Sequence, residues 1–546
     1  MRGDCTEDEV GECDRNVQPW IRVDPHPPAG WIGSAFDGQT CFHFAGNVTE
    51  LSNKRHERVT RRPQDISHNQ TKTMMRIRKY RWSALAAASL GVMAFTHVAS
   101  AQSSDALLDK LVEKGILTTK EATDLRQEAD QNFNDAYKVK TGLPDWVDQL
   151  KLYGDFRGRI DSFKFENDAP GATQPNDDRT RYRYRLRFGV TATLKENFEM
   201  GFRLTSSDPL TGDFGGDPIS GNTSLQNNAA KKFLYVDMAY GKWTPIKTGP
   251  WLLSATIGKM ENPFVVSDMI FDSDYTPEGA ALQAAYTFND VHSLKFNGGA
   301  FVLDEINQSA LGQASDDPYL LGAQLRHDAK WSPKLSSALS VSWFSLFSEQ
   351  NLGNAAVPNV NAGNTRYNAA VLNHLTGDLV YDYTPVVVAG SVTYNLDSFP
   401  GYKGAFPIMG AGEFAHNSSA SENNQGWWAG VTFGKSGKKG TWEVSYRYKY
   451  IEADAWYEEF IDSDFGAYYQ LGGIPVGAGK SGAGYQAGPG TKGHVIKGIY
   501  SFTDSFNITA TFFLTELVDT PTVVVGPTAY KESGTMRMLI DANWKF

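Results

Sequence analysis

Apolar and polar side chains alternate along much of this chain, in short runs that begin near residue 150. In residues 181–188, apolar or aromatic side chains occupy the even positions, and the odd positions are Arg181, Arg183, Arg185 and Arg187. Residues 155–161, 442–450, 506–514 and 536–546 repeat the pattern. Because successive side chains of an extended strand point to opposite faces, each run predicts a β-strand with one apolar and one polar face.

The segments between these runs are rich in Gly, Asn, Asp, Ser and Pro, as in residues 351–364 and 472–490, and predict loops. A soluble β-sandwich also has strands with one apolar face, so two further features favour a membrane protein. Tyrosines and tryptophans concentrate near strand ends, where a transmembrane barrel has its aromatic girdles. The last run ends on Trp544 and Phe546, and such an aromatic ending resembles the assembly signal of outer-membrane barrels.

An alternating sheet in a bilayer predicts a closed barrel, because hydrocarbon cannot satisfy the unpaired backbone groups of a sheet edge. Residues 146–546, at roughly 22 to 25 residues for each strand with its connection, accommodate about 16 strands, with about 18 as the alternative. The predicted fold class is therefore all-β, a transmembrane antiparallel β-barrel preceded by a short helical segment. A barrel of this width encloses water, which makes it a candidate channel.

The chain before the barrel divides into three predicted parts. Residues 102–145 carry apolar side chains at spacings of three and four, and predict a helical, coiled-coil periplasmic segment that packs against its own copies or against the barrel. The alternative for this segment is a periplasmic spacer without a partner. Residues 74–101 combine a basic head, a short apolar stretch and small residues at the end, and predict a cleaved secretory signal peptide. Since such a signal acts near an N-terminus, we interpret residues 1–73, with all three cysteines, as an upstream extension from a mis-assigned start. The alternative is a genuine cytosolic extension that would hinder export.

Composition agrees with a barrel and argues against other classes of protein. Of 546 residues, 41% are hydrophobic and 12% are aromatic, which fits strands with a wet lumen face and aromatic girdles. The formal net charge of -10 argues against a nucleic-acid-binding protein, which usually carries a basic excess. No HExxH, cysteine-based metal site or GxSxG motif occurs, so we predict no catalytic residues, no cofactor and no metal.

The odd-numbered arginines are the candidate pore-lining residues. Each would cost about 2 to 4 kcal/mol against lipid at mid-membrane and little against water, so we expect them on the lumen face. The full set is Arg157, Arg159, Arg181, Arg183, Arg185 and Arg187. A wall of fixed positive charge favours anions. The alternative is a strand whose arginines reach outward to lipopolysaccharide.

Asp272, Asp274 and Glu278 are candidate carboxylates of a constriction loop that opposes the arginines. Their oxygens alternate along the chain, and a loose calcium site is the alternative. They lack the glycine that an EF-hand loop needs at its sixth position, which favours a loop without metal.

Several segments together resemble the Putative porin family of proteobacterial outer membranes, which is similar in style to general and phosphate-selective porins. The resemblance follows the chain in order through residues 107–118, 155–159, 178–181, 201–204, 258–264 and 272–279. It implies a pore-forming barrel of the cell outer membrane without enzyme activity, and it does not name the solute.

The function predicted is an outer-membrane porin, a passive diffusion channel for ions and small hydrophilic solutes that favours anions. A barrel hydrolase of the phospholipase type and a structural anchor to the cell wall are the alternatives. The expected partners are outer-membrane lipid and lipopolysaccharide, the barrel-assembly machinery, small hydrophilic solutes and further copies of the chain in a homotrimer, with no nucleic acid.

Overall fold

The computed structural model describes residues 125, 143–165, 179–209, 215–306, 317–349, 363–367, 378–469, 484–519, 523–525, 528–530 and 533–546. The extension predicted for residues 1–73 and the signal peptide predicted for residues 74–101 lie outside these ranges. The same holds for the helical segment predicted within residues 102–145, apart from Leu125 and residues 143–145.

Antiparallel strands form one closed sheet in the described part of the chain. They are β1 (Val147–Phe165), β2 (Arg179–Leu194), β3 (Phe198–Ser206), β4 (Leu234–Thr248), β5 (Trp251–Lys259), β6 (Glu278–Thr287), β7 (His292–Val302), β8 (Tyr319–Lys330), β9 (Leu335–Phe347), β10 (Pro385–Leu396), β11 (Phe406–Asn417), β12 (Gln425–Gly434), β13 (Trp442–Ile451), β14 (Thr491–Ser501), β15 (Phe506–Leu517) and β16 (Thr535–Lys545).

Each strand pairs with its neighbours in the sequence, and β16 pairs with β1 to close the sheet. Phe156 stands opposite Trp544 in that closing pair, and Ile160 stands opposite Ile540. Closure leaves no edge with unpaired backbone groups, which a bilayer would not tolerate. The predicted antiparallel barrel of about 16 strands is confirmed, and the alternative of 18 strands is wrong.

Alternation along the strands separates an outer apolar face from an inner polar face. In β2, Tyr182 is 55% exposed and Phe188 is 46% exposed, whereas Arg185 between them is only 8% exposed. The odd positions therefore face the interior of the barrel, where other parts of the chain cover them. The same separation holds in β1, where Phe156 is exposed and Arg159 is buried.

Short turns join the strands at one end of the barrel, and the longer connections lie at the other. The turn between β4 and β5 is only Gly249-Pro250, while residues 260–277 connect β5 to β6 at the other end. Aromatic pairs gather at the short-turn end, where the centroid of the Trp251 ring lies 4.4 Å from that of Tyr286. Such rings suit the interface between hydrocarbon and headgroups.

Three short strand pairings accompany the barrel strands. Thr223–Ser224 pairs with β2, and Val523–Val525 pairs with Thr528–Tyr530. Gly466–Tyr469 pairs with Gly484–Ala487, so the end of the loop predicted at residues 472–490 is a hairpin strand. The glycines around it hide the period-two pattern on which strand prediction depends. Among the described residues, no helix is long and apolar enough to cross a membrane.

Candidate pore lining and constriction

The connection between β5 and β6, residues 260–277, runs through the interior of the barrel. We call it the β5–β6 segment. Its contacts with four separate strands are Asp274 with Arg185 of β2, Val265 with Gln324 of β8, Ser267 with Glu413 of β11 and Asp268 with Arg447 of β13. A segment that touches strands so far apart around a closed sheet can lie only inside it.

Aromatic packing fixes the β5–β6 segment in this position. The ring of Phe271 lies 5.3 Å from that of Phe344 on β9, 5.9 Å from that of Trp456 and 5.4 Å from that of Phe460. Phe344 is fully buried, and Trp456 is 1% exposed. The interior therefore contains an apolar core of its own, which stabilises the segment by removing large rings from water.

A second inward connection, residues 452–465 after β13, packs against the first. We call it the β13–β14 segment. The Trp456 indole donates to the Ile270 carbonyl at 2.7 Å, and the Asp272 amide donates to the Phe460 carbonyl at 2.6 Å. The Ser463 amide donates to the Asp272 carboxylate at 3.0 Å. These hydrogen bonds join the two segments into one unit.

Ion pairs attach both segments to a basic wall formed by β16, β1 and β2. Arg185 donates to the Asp274 carboxylate at 2.6 and 2.9 Å, which attaches the β5–β6 segment. Arg159 donates to Asp464 at 2.7 Å, which attaches the β13–β14 segment. Charge-assisted pairs of this kind are short and directional, so they fix the segments in register with the wall.

The remaining pairs of the wall lie within the sheet. They are Arg159 with Asp541, Arg181 and Arg537 with Asp161, and Arg185 and Arg187 with Asp155. Arg537 also reaches Asp464 at 2.8 Å and is 1% exposed. In this way the wall binds carboxylates from its own strands as well as from both inward segments.

The six arginines singled out by the sequence all lie on this wall, but they fall into two groups. Arg159, Arg181, Arg185 and Arg187 form ion pairs. Arg157 donates to the Asn222 side-chain oxygen at 2.7 Å, and Arg183 lies 3.4 Å from the Ser220 hydroxyl. Within the described ranges, neither Arg157 nor Arg183 has a carboxylate within ion-pair distance.

The three candidate constriction carboxylates have different environments. Asp274 contacts Arg185 and, at 3.5 Å, Arg187. Asp272 is 7% exposed and accepts hydrogen bonds from the amides of Asp274 and Ser463, so it lies within the unit formed by the two segments. Glu278 is the first residue of β6 and pairs with Lys259 at 2.9 Å.

The carboxylates of the inward segments differ in pKa because their neighbours differ. Burial raises the pKa of Asp274, but the charges of Arg185, Arg157 and Arg187 outweigh it and hold the pKa below its usual range. Burial and the charges of Asp462 and Asp274 raise the pKa of Asp272 well above its usual range. Burial and the charge of Asp268 raise the pKa of Asp462 to about 6.

A cavity of about 620 Å³ opens beside the wall. Arg185, Arg187 and Lys259 line it with positive charge. Seven acidic residues bring negative charge to its boundary: Asp217, Asp237, Asp274, Glu278, Asp304, Glu305 and Glu459. Side chains of both charges therefore line the same cavity. In the part of the chain described, no cluster of three or more His, Cys, Asp or Glu side chains could hold a metal ion.

The C-terminal residue is seated against the first strand. Phe546 and Gly154 exchange backbone hydrogen bonds of 3.1 and 3.0 Å. The Phe546 ring occupies the space in front of Gly154, where an added Cβ would lie 2.5 Å from the ring. Trp544 packs against Phe506 with ring centroids 4.6 Å apart. The two candidate assembly residues therefore lie at the seam where the barrel closes.

Sequence reasoning missed the partners of the arginines and the seat of the last residue. Asp155, Asp161 and Asp541 were visible at odd positions of the alternating runs, so they could have been assigned to the same wall. Asp464 and Gly154 gave no such signal, because their roles depend on contacts between segments far apart in sequence.

Comparison with known proteins gives one family and several solved structures. The family described as Putative porin matches residues 168–369 and 379–485. Similar structures include OprB of Pseudomonas putida, with TM-score 0.43 and 9% identity over 76% of this chain and 97% of that chain. They also include the channel DcaP of Acinetobacter baumannii, with TM-score 0.34 and 12% identity over 73% of this chain and 97% of that one. No curated protein matches the sequence.

Proposed function

The chain belongs to the Putative porin family, and we propose that it is a passive diffusion channel for ions and small hydrophilic solutes that favours anions. It is a barrel of the bacterial outer membrane. Its closed sheet faces lipid with an apolar band and encloses polar side chains, which is the arrangement that lets water and solutes cross without contact with hydrocarbon.

The balance of charge on the basic wall carries the proposal of anion preference. The interior side chains are seven arginines (Arg157, Arg159, Arg181, Arg183, Arg185, Arg187 and Arg537) and five aspartates that contact them (Asp155, Asp161, Asp274, Asp464 and Asp541). The wall therefore has an excess of two positive charges. Fixed charge along a narrow aqueous path biases which ions enter, and this excess favours anions.

We assign the constriction to the two inward segments. A barrel of 16 strands is wide enough for an aqueous channel when nothing fills it. Here the β5–β6 and β13–β14 segments occupy part of the interior and bring Asp274 to within hydrogen-bond distance of Arg185. Solutes that pass this level meet arginines on one side and carboxylates on the other.

We also propose that Phe546 serves assembly and that copies of the chain associate in the membrane, as a homotrimer. An outer groove on β3 to β7, lined by Met200, Gly241, Ile257 and Ala280 among others, supports association. Small residues such as Gly241 and Ala280 let another chain approach closely in lipid. Comparing the amount of cross-linked oligomer that the unmodified protein and Gly241→Trp form in outer membranes tests this surface.

Permeation through reconstituted protein tests the function itself. The refolded protein in planar bilayers should produce discrete conductance steps, and vesicles that contain it should swell in small sugars. Heat-unfolded protein from the same preparation is the control and should produce neither. Bilayers without conductance steps and vesicles that do not swell would contradict the channel. Hydrolysis of phospholipid by the folded protein would favour the barrel-hydrolase alternative.

A further inference from the structure

The excess positive charge of the basic wall is confined to two residues. Five of its arginines form ion pairs with aspartates at 2.6 to 2.9 Å. Arg157 and Arg183 have no carboxylate within reach among the described residues. Both are anchored instead by neutral atoms of one short segment, residues 220–222.

Arg157 and Arg183 lie next to each other. Arg157 stands opposite Arg185 in the pairing of β1 with β2, and Arg183 stands opposite Arg159. Arg157 and Arg183 are therefore diagonal neighbours on one face of the sheet, with Cβ atoms about 7–8 Å apart or closer in such pairs. A molecule of a few atoms can touch both guanidinium groups at once.

Both guanidinium groups keep unused hydrogen-bonding capacity. The Nε atoms of Arg157 and Arg183 are buried and have no hydrogen-bond partner. Arg157 donates to the Asn222 oxygen at 2.7 Å, whereas the contacts of Arg183 with Ser220 and the Asn222 carbonyl are long, at 3.4 and 3.5 Å. Desolvated donors without acceptors are unfavourable, and a charged acceptor relieves them most.

The neighbouring segment is held rigidly enough to present the two arginines. Ser220 is 4% exposed and Asn222 is 3% exposed, and the Asn222 amide donates to the Ser220 hydroxyl at 3.0 Å. Gly221 between them lines the cavity of about 620 Å³. An added Cβ at Gly221 would lie 2.8 Å from side-chain atoms of Arg185 and Thr205, so a larger residue there would displace them. The cavity thus ends one residue from the atoms that hold Arg157 and Arg183.

We propose that Arg157 and Arg183 form a binding site for a small oxyanion, of the carboxylate or phosphate class, beside the permeation path. Guanidinium groups present forked donors that match two oxygens of such an anion, whereas chloride offers no such geometry. The two unpaired positive charges suit an anion that carries one or two negative charges. The site rests on the proposed anion-favouring channel and adds the class of solute that the channel retains.

Block of chloride current tests the site. In planar bilayers in potassium chloride, inorganic phosphate and, in a separate arm, succinate should each reduce the current of the unmodified channel in a saturable way. Arg183→Gln and Arg157→Gln should raise the half-blocking concentration roughly tenfold or more, because each removes a charge-assisted contact. The arm with the lower half-blocking concentration identifies the preferred oxyanion.

Two further variants separate the site from general loss of charge. Arg326→Gln removes an interior arginine of β8 that pairs with Asp328 at 2.8 Å, and should leave the block unchanged. Asn222→Asp places a carboxylate of similar shape beside Arg157, and should weaken the block although both arginines remain.

The outcomes distinguish this site from the channel. Absence of conductance in the unmodified protein would overturn the proposed function. Conductance without saturable block by either anion would overturn only the site. The site would also be overturned if Arg183→Gln were blocked as strongly as the unmodified channel, or if Arg326→Gln lost as much block as Arg183→Gln.

Discussion

Substitution by glutamine should destabilise the barrel at one arginine of the basic wall, Arg537, and leave its stability nearly unchanged at another, Arg183. Arg537 is 1% exposed and pairs with Asp161, which is fully buried, and with Asp464. Its guanidinium also lies 4.7 Å from the centre of the Phe163 ring. Arg537→Gln removes the main partner of the buried Asp161, which then keeps only Arg181. Leaving a buried charge with no partner costs about 3–5 kcal/mol, and loss of one charged hydrogen-bonding partner costs about 1.5–3 kcal/mol. We expect the free energy of unfolding to fall by the smaller amount.

Arg183→Gln should be nearly neutral for stability. Arg183 has only the two long contacts with Ser220 and Asn222, and no carboxylate among the described residues depends on it. Substitutions without a lost pair or a cavity usually change stability by less than about 0.5 kcal/mol. Loss of a like charge beside Arg181 and Arg159 even favours the folded barrel.

Urea unfolding of the refolded barrel in vesicles, followed by tryptophan fluorescence, measures both changes. The Arg537→Gln midpoint should shift strongly to lower urea, and the Arg183→Gln midpoint should stay near that of the unmodified protein. Equal shifts in the two variants, or a shift only in Arg183→Gln, would refute the division of the wall into paired and unpaired arginines.

Three further predictions concern pH, assembly and processing. Lowering the pH from about 7.5 to about 5 should increase anion preference, with a midpoint near 6. Burial and the charge of Asp268 raise the pKa of Asp462 to about 6, and protonation removes the negative charge of Asp462. Asp462→Asn should abolish this pH dependence of the reversal potential. Deletion of Phe546 should lower the amount of inserted barrel, because it empties the seat of the ring in front of Gly154. Gly154→Ala should do the same, since its added Cβ meets both the Arg187 carbonyl oxygen and the Phe546 ring; unchanged immunoblot levels after deletion of Phe546 would count against this seat. Mass spectrometry of the membrane protein should give an N-terminus near Gln102, and peptides from residues 1–73 in that fraction would contradict the predicted signal.

Strand positions and the lumen face could be predicted because they depend on local geometry. Alternation of side chains between two faces follows from the extended backbone alone. The run Arg181–Phe188 therefore predicted both the strand and the face that Arg185 occupies. The aromatic ending at Phe546 likewise marked the closing strand.

The division among the arginines could be predicted only in part, because the partners Asp274 and Asp464 come from distant connections. Arg185 differs from Arg183 through its ion pairs with Asp155 on β1 and with Asp274, and Asp274 is 89 positions away from it in the chain. Connections have no side-chain period, so alternation alone did not place Phe271 and Trp456 inside the barrel, although the carboxylates after Phe271 indicated a constriction loop. Replacement of Arg185 by an acidic residue would therefore place a third carboxylate beside Asp155 and Asp274, which would repel it. Alternation alone does not reveal this repulsion.

The reversal potential of a single channel in a tenfold gradient of potassium chloride tests the central claim most directly. The excess of positive charge at Arg157 and Arg183 predicts a reversal potential displaced toward the equilibrium potential of chloride, and Arg157→Gln with Arg183→Gln should move it back toward zero. A reversal potential displaced toward the equilibrium potential of potassium, or one that does not change in the double variant, would contradict an anion-favouring path along this wall.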